Sequence, residues 1–149
     1  ILKINFMKLL SLLFLTILLG KGCDEASAQD LQNTVIEYTA NTRGFYQKIT
    51  IKDQMVSVSK DRNNSDKVTN KKITDGDWNA LVTDFKEVKL ETLKDLKAPT
   101  EKRFYDGAAI ANLKITYKDK TYETTSFDHG FPPKEIKKLV DKLNSFVKK

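Results

Sequence analysis

Cysteine is nearly absent from this 149-residue chain: there is one, Cys23, and it is matched by a single histidine, His129. One thiol cannot close an intramolecular disulfide, so the hydrophobic core must hold the fold unaided. Zinc sites built from His and Cys, and Cys-His couples, are excluded on the same ground. Neither a glycine-rich phosphate loop, an H-E-x-x-H pair nor a G-x-S-x-G elbow occurs. Ser57-Val58-Ser59-Lys60 fits S-x-x-K, but on a predicted strand and without its companion motifs. No cofactor and no metal are expected. With three prolines and six glycines against 40% hydrophobic residues, the composition is globular rather than disordered.

What is present begins with a leader. Met7 and Lys8 precede an apolar run from Leu9 to Leu19, then Gly20-Lys21-Gly22 and Cys23. A charged start, a short apolar segment and small residues before a change in composition mark a secretory signal peptide, here residues 1–22. The run is well short of the roughly 20 residues a spanning helix needs. Residues 1–6 precede the first methionine and are left out of the fold reading.

Two cleavage sites compete. Cutting before Cys23 matches the lipoprotein pathway, in which the thiol receives lipid and anchors the chain, although Gly20 and Lys21 depart from the usual residues there. Cutting after Ala26-Ser27-Ala28 releases a soluble chain from Gln29. Residues 23–33 then read as a polar tether and 34–149 as a single domain, since about 120 residues suffice for one core and not for two.

The net charge of +6 comes from 26 basic and 20 acidic residues interspersed along the chain, the pattern of a solvated surface. Nucleic-acid binding calls for a single-sign stripe or interleaved aromatics and is not expected.

The spacing predicts strands over Thr34–Ala40, with Ile36, Tyr38 and Ala40 on one face, and over Phe45–Lys52, with Phe45, Ile49 and Ile51 inward. Asp53-Gln54 turns into Met55–Lys60, with Val56 and Val58 inward and Ser57 and Ser59 outward. Residues 61–70 are a polar loop or a ragged edge strand. Thr74 caps a helix whose Trp78, Leu81, Val82 and Phe85 recur at helical spacing. Ala109–Tyr117 and Thr121–Phe127 form a second hairpin through Lys118-Asp119-Lys120. Pro133 starts a final helix that buries Ile136, Leu139, Val140, Leu143 and Phe146.

These elements make an α+β fold: an antiparallel sheet of five or six strands with two amphipathic helices on one face. Lys48–Asp53 and Lys114–Asp119 agree at five of six positions, each starting a hairpin that a helix follows, so the chain reads either as two ββα units or as two hairpins of convergent composition.

Chemistry, if any, sits on turns: Arg43 after the first strand, Asp106-Gly107 before the fifth, and Asp128-His129-Gly130 after the sixth. Asp128 and His129 could serve as orienting group and base with Ser126 as nucleophile, but neighbours on an extended segment point apart. The competing reading is structural: Asp106-Gly107 is a turn, Asp128 bonds nearby backbone N–H groups, and Arg43 pairs with either carboxylate.

Glu37-Tyr38, Thr42-Arg43-Gly44-Phe45-Tyr46, Ala98–Ala108 with its Asp106-Gly107-Ala108, and Tyr122 with Phe127-Asp128-His129-Gly130 and Pro132-Pro133 together resemble a group of small exported proteins of Gram-negative bacteria. The resemblance covers most of the mature domain and implies a lipoprotein-type leader without implying an activity. The expected role is a monomeric, membrane-tethered accessory module of the cell envelope that binds a protein or glycan. The alternatives are a hydrolase using Asp128 and His129, with Asp106 and a bound cation, or an inhibitor of an exported enzyme.

Overall fold

The computed structural model describes residues 31–63 and 68–148. The leader, Cys23 and both cleavage sites lie outside the described residues. Seven strands form one antiparallel sheet: β1 (Val35–Asn41), β2 (Tyr46–Lys52), β3 (Met55–Ser59), β4 (Thr69–Lys72), β5 (Ile110–Tyr117), β6 (Lys120–Glu123) and β7 (Phe127–Asp128). Their order is β4-β3-β2-β1-β5-β6, with β7 also on β5. The helices α1 (Asp75–Lys86) and α2 (Lys137–Ser145) supply apolar cover. Among the described residues no helix is long and apolar enough to cross a membrane.

Alternation decides the faces. Ile36, Tyr38 and Ala40 of β1 are fully buried, as are Ile49 and Ile51 of β2 and Ala111, Leu113 and Ile115 of β5. They meet Trp78, Leu81, Val82 and Phe85 of α1 and Leu139, Val140 and Leu143 of α2 in one core. Each fully buried Leu, Ile or Phe contributes roughly 1.5–3 kcal/mol relative to exposure. On the opposite face Glu37 bridges Lys48 and Lys114, both at 2.8 Å. The two ammonium groups override the opposing effect of burial and hold the Glu37 carboxyl below its usual range.

Thr74 caps α1 as the sequence predicts, its Oγ1 accepting from the Asp77 N–H at 3.2 Å. Lys142 of α2 reaches Asp77 at 2.7 Å and ties the two helices together. Leu90–Asp95 forms a 3-10 helix that buries Leu93. Residues 69–72 are the ragged edge, with all four exposed.

Three expectations change. Leu31, assigned to the tether, is fully buried and accepts from the Thr34 N–H, so the folded body includes residues 31–33. Phe45 precedes β2 and is partly exposed, while Gln47 takes the first inward position, paired with Asn144 at 2.9 Å. Ser59 keeps its outward face opposite Lys48 but is buried there, its hydroxyl donating to the Asp61 carbonyl. The last predicted strand, Thr121–Phe127, divides into β6 and β7. Between them Thr124 keeps the edge closed: its N–H donates to the Leu113 carbonyl and its Oγ1 accepts from the Leu113 N–H.

The two similar hairpins flank β1, and each leads through a further strand to a helix. Both close with two left-handed residues, Asp53-Gln54 and Lys118-Asp119, as type I′ turns require. The sequence repeat puts the second turn at 119–120, yet the chain reverses one residue earlier. The halves therefore share an order of elements but not a residue-for-residue match.

Candidate functional site

The two ends of the sheet differ in what closes them. At one end lie the two tight turns; at the other, β1, β3, β5 and β7 meet longer segments at 42–45, 60–63, 99–109 and 129–132. Arg43, Asp106, Asp128 and His129 all belong to this loop end, but they do not form one site.

Asp128 is buried. It stands opposite Ile110 on β5, next to Phe127 opposite Ala111, and alternation turns it to the side of the sheet away from the helices. There it closes the start of a short 3-10 helix, Lys102–Tyr105. Its Oδ2 accepts from Thr100 Oγ1 at 2.6 Å and the Lys102 N–H at 2.7 Å. Its Oδ1 accepts from the Arg103 N–H at 3.0 Å and Arg103 Nη1 at 3.1 Å. Burial alone would raise this carboxyl, but the donors outweigh it and bring the pKa to about 2. A carboxylate with four donors and no access to solvent is a structural anchor. The expected backbone bonding is present, though its partners lie 26 and 25 residues away, and the paired arginine is Arg103 rather than Arg43.

His129 faces the helix side. Its Nδ1 is 2.7 Å from the Tyr38 hydroxyl, and its ring lies 5.6 Å from that of Phe45. Burial pushes Tyr38 up to about 12 and lowers the His129 pKa, so both are neutral near pH 7. His129 rims a cleft of about 390 Å³ with Gln47, Asp141 and Asn144. Tyr38 occupies Nδ1, the sheet separates the ring from Asp128, and Ser126 is engaged by Arg103 Nε at 3.1 Å. The nucleophile, base and orienting group that a hydrolase needs do not meet.

Arg43 and Asp106 do meet. They line a second cleft, of about 290 Å³, together with Arg62 and Arg103. The chain has only three arginines, and all three stand on this wall. Asp106 is held in a left-handed conformation that ends the 3-10 helix, and the Gly107 N–H donates to the Lys102 carbonyl at 2.8 Å. A side chain at Gly107 would displace the exposed Tyr105 ring and crowd that carbonyl at 3.1 Å. Arg43 makes no ion pair with any described residue, and Arg62 donates to the Thr42 carbonyl. No group of three or more potential metal ligands occurs among the described residues.

Around this cleft the surface is apolar and aromatic. Phe104 and Tyr105 are 71% and 72% exposed, and Phe45, Ile110 and Phe131 are also open. Arg103 lies over the Phe104 ring at 4.3 Å and Lys102 over Phe131 at 4.2 Å. Residue-by-residue reading passed over Arg62, Arg103, Phe104 and Tyr105. The available signal was the rarity of arginine in a chain with 23 lysines. No family model, curated protein or solved structure matches the chain.

Proposed function

We propose that this chain is a non-catalytic binding module of the cell envelope, exported and tethered by lipid on Cys23, that grips a protein ligand with the loop end of its sheet. The observation that carries the reading is the exposure of Phe104 and Tyr105 beside the arginine cleft. Of seven exposed large hydrophobics among the described residues, five lie on this end. Phe104 and Tyr105, nearly three-quarters exposed, lie outside the hydrophobic core. Phe, Tyr and Arg are the residues enriched where protein partners bind, with a few of them carrying most of the energy.

The hydrolase alternative finds no support in this geometry, because Asp128 is consumed by four donors and His129 looks the other way. If the ligand is an exported enzyme, the module acts as its inhibitor.

In cells, a photo-crosslinking residue placed at Tyr105 should capture one discrete partner, and the same residue at Lys118, on the tight-turn end, should not. Phe104→Ser should remove the adduct. Equal labelling from both positions, or none from Tyr105, would overturn the reading, and a carbohydrate adduct would replace the protein ligand with a glycan.

A further inference from the structure

We propose that the cleft between Arg43, Arg62 and Arg103 is a subsite for a single carboxylate, supplied by an acidic side chain of the partner. This rests on the loop end being the binding face.

Arg103 is the organising group. Its side chain is 9% exposed, and its Nη1 donates to the Thr100 carbonyl at 2.9 Å and to Asp128 at 3.1 Å, while Nε donates to Ser126. Phe104 covers one face of the guanidinium. None of these bonds uses Nη2. No buried side-chain nitrogen or oxygen among the described residues lacks a partner, so Nη2 keeps some access to solvent, and Arg103 is one of the residues that line the cleft. A guanidinium locked on three sides with one nitrogen presented outward loses little entropy on engaging an oxyanion. Arg43 and Arg62 stand across the same cleft and supply the remaining donors.

The charge count selects the ligand. Three arginines face Asp106 on the wall and the Asp128 carboxylate bonded to Arg103, which leaves one positive charge. One carboxylate neutralises it. A phosphate dianion would overshoot and meet Asp106 as well. The planar carboxylate also fits the fork of guanidinium N–H donors, and the Phe104 and Ile110 side chains beside it suit the apolar flanks of a peptide.

The test is a titration of the isotopically labelled protein at fixed ionic strength, following the Arg103 Nε–H resonance. The probes are a capped pentapeptide Ala-Phe-Glu-Phe-Ala, its Gln counterpart, glucuronate and inorganic phosphate. The Glu peptide should shift the resonance and bind about tenfold tighter than the Gln peptide, as expected for hydrogen bonds to a charged group. Arg43→Gln and Arg62→Gln should each weaken it by roughly the same factor, with thermal stability unchanged because the Arg103–Asp128 pair is intact. Equal binding of the two peptides, no shift with either, or tighter binding of phosphate or glucuronate would overturn the assignment. If the double variant Arg43→Gln/Arg62→Gln still crosslinks from Tyr105, the binding face stands and the carboxylate subsite falls. Loss of specific crosslinking in the unmodified protein removes both.

Discussion

The tight-turn end and the loop end of the sheet are built from the same strands yet obey different constraints. At the first, Asp53-Gln54 and Lys118-Asp119 reverse the chain in the fewest residues possible, and nothing apolar is displayed beyond the ordinary edge of Met55. At the second, a segment of about ten residues between Pro99 and Ala109 is fixed by a buried carboxylate and displays two aromatic rings to solvent. Hairpin turns need only local backbone geometry. Holding irregular backbone rigid needs a tertiary anchor, and here Asp128 is that anchor, satisfying N–H groups that no ladder reaches.

Removing the anchor should give the largest effect. Asp128→Ala leaves the Arg103 guanidinium and two backbone N–H groups without their partner, and about 3–5 kcal/mol of stability should be lost in urea unfolding. A loss below about 1 kcal/mol would make the two ends equivalent.

Acid should act on the same end in two steps. Asp128 has a folded pKa of about 2, below its unfolded value, so its contribution is complete above pH ~4 and lost as pH falls through about 2; it is on the order of 2 kcal/mol. The His129 pKa is lowered by burial, so the imidazolium is disfavoured in the fold and stability starts to fall earlier, below the unfolded value near 6.5. Unfolding followed against pH should show both steps in the native protein, and His129→Gln should remove the upper one alone.

The smallest effect belongs to the tight-turn end. Replacing Lys118-Asp119 with Asn-Gly suits the left-handed backbone better and should stabilise by about 0.5–1 kcal/mol, with partner crosslinking from Tyr105 unchanged. A change in crosslinking would mean that the binding face extends beyond the loops.

Much of the fold was legible because burial obeys local periods. The strand faces of β1 and β5, the Thr74 cap and the apolar stripe of α1 follow from spacing alone. Gln47 breaks the pattern because a polar group can face inward where a partner meets it, and Asn144 lies 97 positions away. The candidate site was harder to read for the same reason. The opposite orientations of Asp128 and His129 follow from strand geometry. The pairing of Asp128 with Arg103, and the meeting of Arg43, Arg62 and Arg103, depend on which loops share one end of a sheet, and no local pattern carries that information.

The direction of β1 has a consequence for how such a module would stand on a surface. β1 begins at Val35, on the side of the tight turns, and runs its seven residues toward the loops, roughly 20 Å at the usual rise per residue. For a chain tethered through Cys23, as proposed, the arginines and aromatic rings would stand at the far end of β1 from the lipid, turned toward a partner that need not itself touch the membrane.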